Sequence, residues 1–407
     1  MMRLGLLALC CIGLQAAPAI AAPGAIEQRL SKLLRWYLGE ESPARREDYL
    51  EAIELLTGGK TEPVVRALRA GRHRPRVGRP VLSTRLQEPV FDQKDVRLQD
   101  VSQSAGHLAQ LLPPDDYDPE KIYPLTIDLG STVRRHRDPG AFSLHVNHRR
   151  YPRTAQGVES LILSLQRHML GTYPIDPARV TLQGEKATAR LAWYIALHNP
   201  DRFGGVMAAF ETWKGAAPLA PNAATFYALG IDKREPSTAM KQLMSALRKH
   251  NELHRLLDRN DESSLLSDIR HWRSYAKRED APRKLTLVLD RPEPMRAFWL
   301  RAHPAGLSKY RAKVGTRTAV AMRKPGKIEA EILEGNLVVV RCERVVAFDL
   351  YIDPRLIDVD KPVRVAINGP YPQAQAVFPN VADLLEDFVE RRDTRLLYVC
   401  KLTFGVR

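Results

Sequence analysis

Residues 180–210 read VTLQGEKATARLAWYIALHNPDRFGGVMAAF, and the fold turns on this stretch. Residues 180–183 are a short apolar run that follows the turn signal YPIDP at 173–177. Gly184 permits a sharp turn after that run. Residues 187–198 are rich in helix formers, and Leu191, Tyr194, Ile195 and His198 repeat at helical spacing. Asn199–Pro200 ends the helix, because the residue before a proline is pushed out of the helical region. Residues 205–210 read as a second buried strand. Strand, tight turn, helix and strand make a βαβ unit whose turn lies at the carboxyl edge of a parallel sheet.

Working outward, 407 residues allow two domains and a small third, and 44% hydrophobic residues are enough for real cores. The first 22 residues, MMRLGLLALCCIGLQAAPAIAA, carry one early arginine, an apolar centre and small residues before a cleavage point. That is the pattern of a secretory signal peptide, so the mature chain is expected outside the cytoplasm, secreted or periplasmic. A retained anchor is the other reading, although the apolar run is shorter than the ~20 residues a span needs. Cys10 and Cys11 sit inside the apolar run rather than after it, which argues against a lipid anchor there. Cys342 and Cys400 remain after cleavage, and in an oxidising compartment they either pair or stand as two buried thiols.

The formal net charge is +15, with basic runs at 66–79, 134–137 and 148–153. A basic surface favours an anionic polymer or surface as partner, or is simply a solvated face. No nucleic-acid-binding motif accompanies it, and the export signal lowers the nucleic-acid reading further. His145 and His148 are three apart, but no carboxylate or cysteine stands at ligand spacing, so no metal is expected and no cofactor is implied.

Residues 23–72 read as three short helices and 73–104 as linker and entry strands. Residues 105–280 carry the α/β pattern, with an amphipathic helix over 154–170 and a Pro/Ala-rich loop over 211–222. Strands follow at 223–229 and 252–258, with helices at 238–249 and 264–275. From 281 to 407 the pattern changes to alternation, with strands at 285–289, 297–302, 328–333, 337–341, 345–352, 363–367 and 396–402 and a helix over 381–391. The expected fold is a mostly parallel α/β sheet with flanking helices, a C-terminal antiparallel β-sandwich and a small N-terminal helical region.

The 180–210 unit resembles the nucleophile elbow of the α/β-hydrolase fold. It is most similar to secreted esterases of the polyhydroxybutyrate-depolymerase type, whose line runs DP-x-R-V-x-L-x-G-x-S-x-G-G and then A-x-x-x-P-D-R-F. Asp176, Pro177, Arg179, Val180, Leu182 and Gly184 stand in place, as do Ala196, Pro200, Asp201, Arg202 and Phe203. Upstream, Pro113, Pro114, Tyr117, Asp118 and Pro119 match the family's PPxYDP turn, and Tyr123, Pro124, Leu125, Leu129 and Gly130 its YPLxxxLHG. Downstream, residues 327–330, 356–366 and 368–369 resemble the C-terminal β-sandwich of some secreted relatives.

The departures fall where the resemblance places chemistry. Lys186 stands at the serine, and lysine supplies no hydroxyl. The glycine positions that follow hold Thr188 and Ala189. The family's histidine before Gly130 is absent, so that Leu129 directly precedes the glycine, and Asp128 sits one further back, where a carboxylate would oppose a developing oxyanion or pair with Lys186. Asp232 matches the triad acid. The base loop, residues 259–262, contains no histidine, while His254 falls in a strand and His271 in a helix. The resemblance therefore implies a hydrolase-like protein that has lost its Ser/His pair and binds an unknown ligand in the cleft. Against it stand a working carboxylesterase or peptidase with a relocated nucleophile, and a binding module for an anionic polymer.

Overall fold

The computed structural model describes residues 23–71, 73–74, 84–86, 91–92, 95–96, 109–130, 139–146, 152–185, 187–209, 212–213, 215–225, 227–232, 237–250, 254–258, 262–306 and 308–406. The signal-peptide segment, most of the three basic runs, the base-loop positions 259–261 and Lys186 itself lie outside them. The chain divides into two compact units, Met1–His73 and Arg74–Arg407.

The first unit holds three helices, α1 (Pro23–Gly39), α2 (Pro43–Thr57) and α3 (Thr61–Arg69), which contact one another. Their shared core is Leu30, Leu34, Tyr37, Ile53, Val64 and Leu68. Pro43 opens α2 at the position where a missing N–H costs nothing, and Gly58 closes it with φ 62°.

The second unit is built on an eight-stranded sheet. Its strands are β1 (Thr84–Leu86), β2 (Ala109–Leu112), β3 (Tyr123–Asp128), β4 (Phe142–Val146), β5 (Ile175–Glu185), β6 (Gly205–Ala209), β7 (Tyr227–Asp232) and β8 (His254–Asp258). The spatial order is β1-β2-β4-β3-β5-β6-β7-β8. Strands β1 and β2 are antiparallel to their neighbours, and all later pairs are parallel. The mostly parallel sheet expected from the sequence is therefore present, with an antiparallel edge.

Strand β5 is longer than the apolar run predicted, starting at Ile175 rather than after Pro177. Tyr123 pairs with Ile175 and Leu125 with Val180, so the register shifts between them. Pro177 falls inside that irregularity, where its missing N–H breaks no regular ladder. The predicted strand at 223–229 starts only at Tyr227, because Ala217–Ala223, with Pro218 and Pro221, winds as a 3-10 turn.

Helix α4 (Ala155–Thr172) is capped by Thr154, whose hydroxyl accepts the Gly157 N–H at 3.1 Å. It buries Val158, Leu161, Leu165 and Met169, the face predicted for it. Helix α5 (Ala187–His198) is buried on every side from Leu191 to His198 and packs on β5 and β6. Such a helix is hydrophobic all round because it is interior. Helices α6 (Thr238–His250) and α7 (Glu262–Tyr275) complete this part.

Beyond α7 a five-stranded and a four-stranded sheet contact each other. The first runs β9 (Lys284–Leu289), β14 (Gly326–Leu333), β15 (Leu337–Glu343), β17 (Val363–Ile367), β18 (Pro372–Gln375). The second runs β10 (Met295–Ala297), β11 (Leu300–Pro304), β16 (Val345–Ile352), β19 (Cys400–Gly405). A separate ribbon, β12 (Lys309–Val314) with β13 (Arg317–Met322), was not foreseen from the sequence.

The expectation of a wholly antiparallel sandwich needs correction, since β15 and β17 are parallel. The chain leaves β15, crosses to the other sheet as β16, and returns through a connection that re-enters the first sheet at the same end. Asn336 pins that connection: its amide donates to the Asp358 carbonyl at 2.7 Å and accepts the Asp358 N–H at 2.9 Å. Cys342 on β15 and Cys400 on β19 sit in different sheets and are both free thiols, which closes the alternative of a disulfide.

The sandwich is fastened to the parallel sheet by buried charge. Asp201, at the end of α5, is 2% exposed and takes the Arg391 guanidinium at 2.7 Å. Arg391 comes from α8 (Val381–Arg391). The same Asp201 oxygen accepts the Phe298 N–H at 2.8 Å, in the β10–β11 turn. That bond holds Phe298 at φ 51°, a region a bulky residue enters only when its surroundings demand it. Predicted strand 297–302 thus becomes a hairpin turning on Phe298 and Trp299.

Around this pair, Arg278 meets Asp393 at 2.8 Å, Arg395 meets Asp176 at 2.6 Å, and Arg296 binds Asp387 while lying 3.5 Å over the Tyr351 ring. Burial pushes the Asp201 carboxyl up, but Arg391, Arg296, Arg202 and Arg278 together pull harder and leave its pKa lowered. Asp393 is lowered likewise: burial raises it and Arg278 outweighs that. Burial and the neighbouring Arg391 bring Arg202 down to about 10.

Removing one partner of a buried pair strands the other, at a cost of ~3–5 kcal/mol. We expect Asp201→Ala to lose that much by urea unfolding, whereas Glu331→Ala, which breaks the exposed Lys284–Glu331 contact at 3.6 Å, loses less than ~1 kcal/mol. The lowered folded pKa of Asp201 means its contribution is complete above the unfolded carboxylate value, ~3.9, and is lost as pH falls through the folded value. The stability of Asp201→Asn should accordingly fall less steeply than wild type below about pH 4, measured by denaturant midpoints across that range.

Candidate functional site

The carboxyl edge of the parallel sheet gathers the residues singled out in the sequence. Strand β5 ends at Glu185 and α5 begins at Ala187, so the Lys186 position falls between strand and helix. The turn is tight. A Cβ on Gly184 would meet the Thr188 carbonyl oxygen at 2.6 Å, so only glycine lets the helix start this close to the strand. Thr188 then closes the turn. Its hydroxyl accepts the Glu185 N–H at 3.0 Å and donates to the Glu185 carbonyl at 2.8 Å. A threonine at the place of a motif glycine thus has a structural task of its own.

Beside this turn, β3 ends in Asp128, Leu129 and Gly130. Leu129 continues the pairing with β5 by donating to the Gln183 carbonyl at 2.9 Å. The sequence pointed Asp128 either at Lys186, which lies outside the described residues, or at an oxyanion site; among the described residues its carboxylate meets two groups. One oxygen accepts the Gly130 N–H at 2.8 Å, and the other meets His145 Nδ1 at 3.1 Å. Asp128 and His145 are buried, 7% and 6% exposed. The carboxylate oxygen can only accept, so the proton at this contact is on Nδ1. His145 Nε2 is buried and has no hydrogen-bond partner among the described residues.

This pairing went unpredicted, yet its signal was in the alternation. Thr126 and Asp128 on β3 register with Ser143 and His145 on β4 and with Thr181 and Gln183 on β5. All six are buried, and residues in register across parallel strands share a face. Thr126 and Thr181 are joined at 3.2 Å, and Gln183 accepts from Arg273 of α7 at 2.8 Å. The sheet therefore carries a buried polar stripe on one face, leading to its carboxyl edge.

The remaining candidates are not brought into this group. Asp232 ends β7, in register with Asp258 of β8, one strand beyond β6. His254 opens β8, at the opposite end from Asp258. His271 is exposed on α7 and packs edge-on against Tyr275 at 4.6 Å. The base-loop positions 259–261 and His148 lie outside the described residues. Among the described residues no group of three His, Cys, Asp or Glu side chains converges as a metal site.

No family model matches the chain, and no curated protein does. Among solved structures, a dipeptidyl aminopeptidase IV-like protein from Bacteroides ovatus aligns at a TM-score of 0.34 and 12% identity over 41% of this chain and 33% of its own. A thermostable esterase aligns at 0.34 and 13% over 48% and 60%, and Est1E from Butyrivibrio proteoclasticus at 0.32 and 9% over 41% and 93%. This chain thus spans less than two thirds of the first two. The core is characterised by its own strand order and by the strand–turn–helix unit at Gly184.

That unit can be tested directly. Gly184→Ala forces either the α5 start or β5 to shift, which should lower stability by ~1–3 kcal/mol, read from the urea midpoint with the slope unchanged.

Proposed function

We propose that this chain is a secreted α/β-hydrolase-like protein of the polyhydroxybutyrate-depolymerase/esterase-like kind that has lost its Ser/His catalytic pair and serves as a non-catalytic binding protein. The observation that carries this reading is the Gly130 N–H. In a working hydrolase, a backbone donor on this loop faces the oxyanion of the tetrahedral intermediate. Here it faces the Asp128 carboxylate at 2.8 Å. Loss of a single oxyanion donor typically costs ~100- to 1,000-fold in rate, and a fixed carboxylate at the same place adds repulsion as negative charge develops. Lys186 at the elbow and the absence of histidine from residues 259–262 support the same conclusion.

A second reading, a working hydrolase with a relocated nucleophile, draws on the Asp128–His145 pair. A carboxylate-oriented imidazole with a bare Nε2 is the form a general base takes. No described hydroxyl or thiol bonds to that nitrogen.

Two measurements separate the readings. The mature protein should turn over p-nitrophenyl acetate no faster than a heat-inactivated control. Lys186→Ser should also stay at background, since a lone serine hydroxyl needs a base to deprotonate it. A fluorophosphonate probe that labelled the wild-type chain, with labelling abolished in His145→Ala, would establish the relocated nucleophile and end the binding-protein reading.

A further inference from the structure

The β12–β13 ribbon has two faces of opposite character. Side chains alternate along each strand, so Ala312 and Val314 of β12 share one face with Ala319 and Ala321 of β13. Val314 and Ala319 belong to the same hydrophobic core as the buried residues of α4 and α5. Slipping the ribbon by one residue would turn both out of that core, so the opposite face is fixed outward. Further bonds hold it there. Arg317 Nε donates to the Pro152 carbonyl at 3.0 Å, the Met322 N–H donates to the Asp290 carbonyl at 2.6 Å, and Thr154, the N-cap of α4, bridges to Thr318.

The outward face carries a row of cations. Lys309, Arg311 and Lys313 alternate with the inward residues of β12, and all three are exposed. On an extended strand they stand ~6–7 Å apart and span ~13 Å. Across the ribbon from Arg311 and Lys313 are Val320 and Thr318, which carry no charge. Just after β13, Arg323 and Lys324 are exposed too, and the Arg323 N–H bonds the Ser308 carbonyl at 2.9 Å, beside the Lys309 end of the row.

None of these cations has an ion-pair partner among the described residues. No aspartate or glutamate occurs between Glu293 and Glu329. Elsewhere on the sandwich, surface cations stand against acids: Lys284 meets Glu331 at 3.6 Å, Lys327 meets Glu329 at 2.6 Å, and Lys361 meets Asp358 at 2.6 Å. Charge on the ribbon is therefore segregated rather than balanced. Cations in a row repel one another, and an anion laid along them relieves that repulsion.

We propose that the outward face of the ribbon binds a linear acidic polysaccharide carrying one carboxylate per sugar. The polymer lies along β12. Its carboxylates are met by Lys309, Arg311 and Lys313, and the apolar face of a sugar ring rests on Val320, which is 39% exposed. The same face is poorly made for other polyanions. A surface that enters a bilayer presents large apolar side chains to the acyl boundary, whereas the tip of this ribbon is Gly315 and Thr316. Single-stranded nucleic acid is held by aromatic rings on which bases stack, and the outward positions of β12 and β13 hold none. The surface is separate from the sheet edge, so it stands whether or not that edge is catalytic.

The test is binding of the full mature chain to immobilised polygalacturonate, with neutral dextran, a thymidine oligonucleotide and phosphatidylglycerol vesicles measured alongside. Saturable binding to polygalacturonate is expected at ~50 mM salt and is lost by ~0.5 M, where the contacts are screened. The other three should bind at least ~10-fold more weakly. Lys309→Gln, Arg311→Gln and Lys313→Gln together should weaken polygalacturonate at least ~10-fold and leave the thermal melt unchanged. Lys249→Gln, Arg341→Gln and Lys401→Gln remove the same charge from exposed positions off the ribbon and should change binding less than ~2-fold. Val320→Glu keeps every cation but sets a carboxylate across from Arg311, and it should weaken binding as well. Should the ribbon triple variant fail to fold by circular dichroism, Val320→Glu decides alone. The proposal is overturned by no saturable binding, by an equal loss in the off-ribbon variant, by wild-type binding in a folded ribbon variant, or by an oligonucleotide or vesicle that binds as tightly as polygalacturonate.

Discussion

Everything beyond the parallel sheet hangs on one buried carboxylate. Asp201 sits where α5 has just ended, and a single oxygen of it collects Arg391 from α8 and the Phe298 N–H from the β10–β11 turn. The Arg278 guanidinium reaches the Asp201 carbonyl at the same point. Charges this deep are tolerable only when each is matched and hydrogen-bonded, because the desolvation penalty is several kcal/mol per ion. The seam meets that condition by numbers: Arg202, Arg278, Arg296, Arg391 and Arg395 face Asp176, Asp201, Asp280, Asp387 and Asp393. An apolar seam would hold the two parts as firmly. A charged one also fixes how they meet, since any sliding would unpair several ions at once.

This gives a physical meaning to the motif residues that survive in the sequence. Asp176 of the DP-x-R-V line binds Arg395, and Asp201 and Arg202 of the PDRF line bind the α8 end. They attach the sandwich, and that task remains whatever happens at the elbow. Frame and catalytic motifs therefore answer to different constraints. A chain can keep the first and lose the second without any conflict between levels of structure.

The sequence showed the elements whose pattern is local. Helix α4 was legible from its 3.6-residue repeat, and β16, β17 and α8 from alternation and amphipathicity, because burial on one face dictates those periods. What it hid is non-local. The β12–β13 ribbon reads as a basic, alanine-rich stretch, since its apolar face is made of small residues and its other face is solvated. The Phe298 turn carries no glycine or asparagine, because Asp201, 97 residues away in the chain, imposes the backbone conformation. The Asp128–His145 pair needs the β3–β4 register, which no single strand reveals. Asp232 and Lys186 were placed by motif alignment alone, and alignment gives a position along the chain rather than a partner in space.

Helix α5 joins these observations into one argument. Its first turn is held to β5 by Gly184 and Thr188, its sheet-facing side packs on β5 and β6, and its end delivers Asp201 to the seam. The face carrying Tyr194 and His198 is covered as well, since both are buried and Trp213 packs against both. His198 Nε2 is further tied to Asp290, just beyond β9, at 2.7 Å, so α5 is held on the side away from β5 and β6 too. The tight turn at one end and the charged seam at the other therefore fix a single helix, and the strand–turn–helix unit and the attachment of the sandwich depend on the same element.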